Sequence, residues 1–188
     1  MKKKIVILAS GGGTNAENII QYFQSSKDIA VVSVLSNRPN AGVFDRVEPL
    51  GVPAIYFNRS ALSSGFLTDY LNTIQPDLIV LAGYLKKIPE ELISLFPDKI
   101  INIHPALLPK YGGKGMYGMH VHQAVKEAGE HESGITIHYI NAQYDEGAII
   151  FQANTPVDAT DTAEDIAHKI HRLEQEHFPK VIAQLLHE

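Results

Sequence analysis

Short apolar runs alternate with segments of helical periodicity through the first half of the chain, and this order limits the available folds more than any other feature. The apolar runs cover residues 5–9, 30–35, 77–82 and 100–103. They lack polar alternation, which is typical of strands buried on both faces. Candidate helices lie between them at about 14–25, 42–50, 60–75 and 88–96. The repeated strand, helix, strand order predicts a doubly wound α/β unit with a parallel sheet.

The pattern changes after Pro105. A glycine-rich stretch fills residues 111–118, and a helix is predicted near 119–128. Two further strands, at 134–140 and 147–152, alternate more clearly between apolar and polar residues and flank a polar loop. This arrangement predicts an antiparallel pair that extends the sheet.

The last predicted helix covers residues 162–186. Thr160 or Asp161 is expected to cap its first turn, and Glu164 lies near the capping-box position. Pro179 removes a backbone donor inside this segment, so we expect it to kink or break the helix.

Length and composition restrict the class of protein. With 188 residues, the chain is expected to form one domain, residues 1–188. The 16 Lys and Arg against 21 Asp and Glu give a net charge of −5, which argues against nucleic acid or an anionic membrane as a partner.

The sequence has no Cys, which excludes disulfides, thiolate metal sites and cysteine nucleophiles. No apolar stretch approaches the ~20 residues that span a bilayer, and we expect a cytoplasmic protein.

The segment Ser10–Ala16 joins the first strand to the first helix and reads Ser-Gly-Gly-Gly-Thr-Asn-Ala. Glycines let an anion approach the backbone, and the N–H groups at a helix start hold it, with the Thr14 hydroxyl and the Asn15 amide as added donors. The segment also fits the dinucleotide pattern G-x-G-x-x-A. In that case Arg38 could meet an NADP phosphate, although no acid ends the second strand. Three interpretations of this segment therefore stay open: a phosphate site, a dinucleotide site and a tight turn that binds nothing.

Asn102 and His104 stand near the end of a predicted strand, directly before Pro105. Strand alternation places both side chains on one face, and the proline ends the strand. In open α/β sheets, ligands bind at this carboxyl edge. The pair is either an amide donor beside a titratable imidazole in a site, or a capping Asn and a buried structural His.

Two acidic residues could complete such a site. Asp145 lies in the loop between the two late strands, where it either reaches His104 or belongs to an ordinary turn. Glu174 follows Ile166 and Ile170 at helical spacing. It is therefore a paired or functional carboxylate in a buried stripe, or simply the end of that stripe.

Two pairs of histidines are candidate metal ligands, namely His120 with His122 and His168 with His171. Neither pair has the spacing of a known zinc motif or an evident third ligand. We therefore predict no metal site.

Five segments together resemble the folate-dependent formyltransferases, and most closely the members that formylate glycinamide ribonucleotide in purine synthesis. The segments are Ser10–Asn15, Leu81–Tyr84, Asn102–Lys110, Gly134–His138 and Asp145–Gly147. The resemblance extends over essentially the whole chain. It implies one formyltransferase domain with a doubly wound, mostly parallel, Rossmann-like sheet and an antiparallel C-terminal extension. Residues 1–100 would bind the nucleotide phosphate, and residues 101–188 would form the catalytic and folate-binding half.

The resemblance also implies roles for individual residues. The catalytic residues would be Asn102, His104 and Asp145, supported by His138. The substrate phosphate would bind to Gly13, Thr14 and Asn15, and the glycinamide end of the substrate would lie near Glu174. The folate would bind along Leu85, Lys86, Lys87, Ile88, Asn141 and Tyr144.

The implied reaction moves a formyl group from 10-formyltetrahydrofolate, the co-substrate, to the amine of glycinamide ribonucleotide. A tetrahedral oxyanion forms on the way, with Asn102 as donor and His104, charged by Asp145, as proton carrier. The reaction needs no metal and no covalent enzyme intermediate. The partners would be small molecules only, and the protein a monomer or a homodimer.

The sequence departs from the family at two places. Residues 112–119 form a longer connection than the short Pro-Gly turn common in the family, and Gln175 stands where many members have His. A formyltetrahydrofolate hydrolase or another small-molecule formyltransferase is an alternative, although such hydrolases usually carry an extra N-terminal domain. A methionyl-tRNA formyltransferase would need a further C-terminal domain. Outside the family, an NADP-binding oxidoreductase and a regulatory nucleotide-binding module stay open.

Overall fold

The structure, a computed structural model, describes residues 1–187. Its strands are β1 (Lys3–Leu8), β2 (Ile29–Ser36), β3 (Ala54–Tyr56), β4 (Leu78–Leu81), β5 (Ile100–His104), β6 (Glu132–Tyr139) and β7 (Ile149–Pro156). They form one 7-stranded sheet in the order β3-β2-β1-β4-β5-β6-β7. Strands β1 to β5 run parallel, and β6 and β7 extend the sheet antiparallel. The predicted doubly wound sheet with an antiparallel C-terminal extension is confirmed.

The helices connect and cover these strands. They are α1 (Thr14–Phe23), α2 (Val43–Val47), α3 (Arg59–Ser63), α4 (Phe66–Ile74), α5 (Glu90–Leu95), α6 (Met119–Glu127) and α7 (Ala163–His187). The predicted helix 60–75 is two helices, because Gly65 adopts a left-handed φ of 86° between α3 and α4. The predicted helix 42–50 is α2 followed by a 3₁₀ turn over Glu48–Leu50.

Three details of the sequence prediction are wrong. The pattern does not predict β3, because a strand of only 3 residues has too few positions to show a period. The cap of α7 is Thr162, whose hydroxyl accepts the Asp165 N–H while the Asp165 carboxylate accepts the Thr162 N–H. Of the kink or break expected at Pro179, the break is absent, because α7 continues through the proline and buries it.

The core lies on both faces of the sheet. Along β1, Ile5 and Ile7 belong to the cluster on one face, while Val6 and Leu8 belong to the cluster on the other. Strand β6 is buried from Ser133 to His138, so its polar positions are buried rather than facing solvent. Among residues 1–187, no helix is both long enough and apolar enough to cross a membrane. Packing on both faces leaves the carboxyl edge of the parallel strands open for a site.

Candidate active site

A cleft of about 650 Å³ opens at the carboxyl ends of β1, β4 and β5. This is the edge where open α/β sheets bind ligands. Its walls come from the loop segments 11–15, 81–88, 113–118 and 140–145 and from one face of α7. Every predicted site residue except His138 lines this cleft. His138 is fully buried behind it.

The loop between β1 and α1 presents its backbone to the cleft. Gly13 occupies the N-cap position of α1 with φ 81°. A Cβ at Gly13 would lie 2.5 Å from Val43 Cγ2, so packing as well as backbone conformation requires this glycine. Gly11 and Gly12 have open space where a Cβ would lie. The first N–H groups of a helix have no intrahelical partner, so this loop has the donors that an anion site needs.

The side chain of Asn15 is held by α7. Its Nδ2 donates to Glu174 Oε2 at 3.0 Å, and Gln175 Nε2 donates to Asn15 Oδ1 at 3.3 Å. One of the two Asn15 amide hydrogens is therefore used by Glu174, and the second amide hydrogen and the backbone N–H remain for an anion. His171 Nδ1 lies 3.4 Å from the same Glu174 oxygen, and this hydrogen bond raises the pKa of His171. Glu174 thus lies beside the glycine-rich loop and ties α1 to α7.

Asn102 and His104 project from one face of β5, as strand alternation predicts. In the antiparallel register, Asn102 lies opposite His138 and His104 opposite Thr136. His138 Nδ1 lies 2.9 Å from the Tyr139 carbonyl oxygen, which only accepts, so this nitrogen carries the proton. Burial lowers the pKa of His138, so the ring is neutral at pH 7 and its Nε2 accepts from Asn102 Nδ2 at 3.2 Å. The second amide hydrogen of Asn102 remains free to donate to a ligand in the cleft.

The ring of His104 is fixed from the opposite side. Its Nε2 donates to the Tyr111 carbonyl oxygen at 2.8 Å, which fixes the orientation of the imidazole. Its Nδ1 lies 3.7 Å from Asp145 Oδ2. His104 is only 3% exposed, so its Nδ1 faces the Asp145 carboxylate with little competing water.

Asp145 reaches this position because its loop is tightly folded. Its backbone has a left-handed φ of 57°, and its Oδ2 accepts the Gly113 N–H at 2.8 Å. Its Oδ1 lies 3.6 Å from His138 Nε2. Gly147 packs directly against the Tyr139 carbonyl, where a Cβ would overlap that oxygen. The predicted approach of Asp145 to His104 is therefore present in the structure.

The segment Leu85–Ile88 follows β4 and forms another wall. Ser10 connects it to the glycine-rich loop, because the Ser10 hydroxyl accepts the Leu85 N–H at 3.0 Å and donates to Asn37 Oδ1 at 2.6 Å. Tyr84 packs beneath the segment, and burial raises the pKa of its hydroxyl to about 12. The four predicted folate residues of this segment thus line a wall anchored in the sheet, while Asn141 and Tyr144 line the cleft from the loop after β6, and the role of all six stays a prediction.

Sequence reasoning missed Thr136, which supports the turn after His104. Its Oγ1 accepts the Leu108 N–H at 3.0 Å and donates to the Ala106 carbonyl at 2.7 Å. Gln152 Nε2 donates to the same hydroxyl at 2.9 Å. The signal was available, since Thr136 lies between Ile135 and Ile137 in a predicted strand, and a polar side chain buried there needs a partner.

Sequence reasoning also missed Gly113, whose N–H holds Asp145, and no periodic pattern marks that contact. Within residues 1–187, no three His, Cys, Asp or Glu side chains are grouped as metal ligands would be. The prediction that no metal is needed stays a prediction.

Comparisons with known proteins agree with this geometry. The sequence matches the family described as "Formyl transferase" over residues 3–182. A chloroplastic phosphoribosylglycinamide formyltransferase of Arabidopsis thaliana is 39% identical over 100% of this chain and 66% of its own length. The phosphoribosylglycinamide formyltransferase of Bacillus subtilis is 36% identical over 98% of this chain and 95% of its own length. The chain thus spans just under two thirds of the first of these relatives and nearly all of the second.

A solved structure extends the likeness to three dimensions. The crystal structure of phosphoribosylglycinamide formyltransferase from Streptococcus pneumoniae superposes with a TM-score of 0.86 at 34% identity, covering 98% of this chain and 99% of that one. The resemblance drawn from the five sequence segments is confirmed. On sequence and on structure alike, the chain belongs to the formyl transferase family.

Proposed function

We propose that this chain transfers the formyl group of 10-formyltetrahydrofolate to the primary amine of glycinamide ribonucleotide. One observation carries the proposal: Asn102, His104 and Asp145 converge at the end of β5 in the same cleft as a glycine-rich anion loop. A monophosphate with an amine fits such a cleft, because one loop of N–H donors suits one phosphate. The relatives named above are called phosphoribosylglycinamide formyltransferases, which supports the formyl transfer and its acceptor.

The chemistry needs charge stabilisation at one oxygen. When the amine attacks the formyl carbon, the formyl oxygen gains negative charge, and fixed donors aimed at that oxygen lower the barrier. Asn102 offers its free amide hydrogen, and its orientation is set by neutral His138. His104 Nδ1 lies on the same strand face and supplies a second, charged donor when protonated.

The reaction also needs proton movement between two nitrogens. The attacking amine loses a proton and the leaving folate nitrogen gains one. Asp145 lies 3.7 Å from His104 Nδ1 and is suited to accept the proton of the amine, directly or through water, while His104 delivers a proton to the leaving nitrogen. No bond to the enzyme forms in this sequence.

The two substrates would occupy different walls. The acceptor phosphate would bind the loop 11–15 beside Glu174, and the folate would lie along residues 85–88 with Asn141 and Tyr144. In this division, residues 1–100 supply the phosphate loop and residues 101–188 supply the catalytic side chains. A small-molecule enzyme of the cytoplasm, monomeric or homodimeric, stays the prediction, and the relative in Arabidopsis thaliana is named chloroplastic.

Two alternatives predict different results. A formyltetrahydrofolate hydrolase would use the same trio with water in place of the amine. An NADP-binding oxidoreductase would need Arg38 near the glycine-rich loop. That side chain is exposed and does not line the cleft, which weakens this reading.

The test is formyl transfer followed through the chromophore of the deformylated folate. We expect release of that chromophore when glycinamide ribonucleotide is added, and only background release without it. Equal release with and without the amine would support the hydrolase. Saturable NADPH binding with no folate binding would support the oxidoreductase.

A further inference from the structure

His122 brings an unpartnered polar atom to the wall of the cleft. It lies on α6 and is only 5% exposed. Its Nδ1 is buried and has no hydrogen-bond partner among residues 1–187. No hydrogen bond within residues 1–187 uses its Nε2 either, so this nitrogen is uncommitted and available to a group bound in the cleft.

The position of His122 is intermediate between the two ends of the cleft. Helix α6 packs against α7, and His122 lines the same cleft as Ala167 and Ile170 of α7. The charges of both Glu174 and His104 act on its ring. Glu174 lies beside the glycine-rich loop and His104 lies in the catalytic trio, so His122 faces the stretch between them.

The protonation of His122 defines what it can bind. Burial lowers the pKa of His122, so the ring is neutral at pH 7 with one donor and one acceptor nitrogen. A buried lone pair without a partner is tolerated better than a buried N–H. The hydrogen therefore belongs on Nε2, and a neutral donor of this kind suits a hydroxyl or carbonyl oxygen.

We propose that His122 binds the middle of the acceptor, donating from Nε2 to a hydroxyl or amide oxygen between its phosphate and its amine. The proposal rests on the proposed function and adds a residue that neither the sequence motifs nor the trio include. Phosphate recognition and catalysis are assigned to other groups, so the contribution of His122 is to acceptor affinity and specificity.

Titration calorimetry with glycinamide ribonucleotide tests this proposal on the full chain. We expect His122→Phe to raise the Kd for the acceptor by roughly tenfold or more, as loss of one hydrogen bond to a buried group implies, with folate affinity unchanged. The melting temperature of the free protein should stay the same or rise, because the orphaned nitrogen is gone. His122→Gln, which offers an amide donor near the Nε2 position, should restore part of the affinity.

His120→Phe is the matched control, since His120 is exposed on the same helix and does not line the cleft. It should leave both affinities unchanged. Unchanged acceptor affinity in His122→Phe with a lower melting temperature would overturn the proposal and give His122 a structural role. Equal loss of acceptor and folate would also overturn it. Failure of the unaltered chain to bind the acceptor would instead overturn the proposed function, and this inference with it.

Discussion

The two ends of the cleft are built in different ways. At the glycine-rich end, the groups that face the cleft are backbone N–H donors from one continuous segment, residues 11–15. At the catalytic end, they are side chains from separate elements, with Asn102 and His104 on β5, His138 on β6 and Asp145 in the following loop. The first site is local in sequence, while the second exists only when β5 and β6 pair in the correct register.

This difference separates binding from turnover. A backbone site is altered by anything that blocks approach to it, but it has no side chain that moves a proton. A side-chain cluster is altered by removing one functional group, and ligand affinity changes little if that group acts mainly in the transition state. We therefore expect changes at the glycine-rich end to affect acceptor binding, and changes at the catalytic end to affect kcat.

The largest effect should come from the catalytic end. His104→Ala and Asp145→Asn should each lower kcat by about 10²-fold or more, as is typical for a lost proton carrier, with KM values nearly unchanged. Because Asp145 acts largely through His104, the double variant should lose much less than the product of the two single losses. Steady-state kinetics on the three variants measure this, and strict additivity would mean that the two residues act independently.

The next largest effect should come from the glycine-rich end. Gly12→Val places a side chain where the structure has open space, so it should block an anion without disturbing the fold. We expect the KM for glycinamide ribonucleotide to rise roughly tenfold or more with the folate KM unchanged. Gly13→Val is less suitable, because its Cβ would strike Val43 and disturb packing. A rise in the folate KM of the same size would argue against a phosphate site here.

A third change tests whether the catalytic end depends on buried support. Thr136→Val keeps the side-chain shape but leaves the Leu108 N–H and the Ala106 carbonyl without their partner. The free energy of unfolding should fall by about 1–3 kcal/mol, measured by urea denaturation. Thr73→Val is the control, because the exposed Thr73 hydroxyl bonds only to the Asp69 carbonyl of its own helix. An equal loss in both variants would show that the turn after His104 needs no such support.

The smallest effect is on the pH dependence of stability. Burial lowers the pKa of His138, so as the pH falls the unfolded chain takes up a proton near pH 6.5, before the folded chain does. Stability should therefore fall as the pH drops below about 6.5, with a slope of up to about 1.4 kcal/mol per pH unit from this residue. His138→Gln should flatten the slope in unfolding curves between pH 5 and 7. An unchanged slope would show that His138 does not stay neutral in the folded protein.

The sequence predicts the local site better than the assembled one. The order of apolar runs was sufficient for the fold class, because a buried parallel strand has a recognisable composition. The loop 11–15 was also predictable, since its glycines, the strand before it and the helix after it are contiguous. Strand alternation placed Asn102 and His104 on one face for the same reason.

The sequence could not supply the contacts that depend on loop conformation. The hydrogen bond between Gly113 and Asp145 joins two irregular loops, and neither has a periodic pattern. The commitment of the Asn15 side chain to Glu174 depends on how α7 packs against α1. The cap of α7 was misplaced because Thr160, Asp161 and Thr162 are all residue types that cap helices.

Equilibrium binding of both ligands to Asp145→Asn and Gly12→Val tests the division of the cleft most directly. We expect Asp145→Asn to bind glycinamide ribonucleotide and folate with nearly unaltered affinity, yet to transfer formyl groups at least ~10²-fold more slowly. We expect Gly12→Val to bind folate normally and the acceptor poorly. Loss of binding of both ligands in either variant, with the fold intact, would contradict the claim that one end of the cleft binds the acceptor and the other end carries out the transfer.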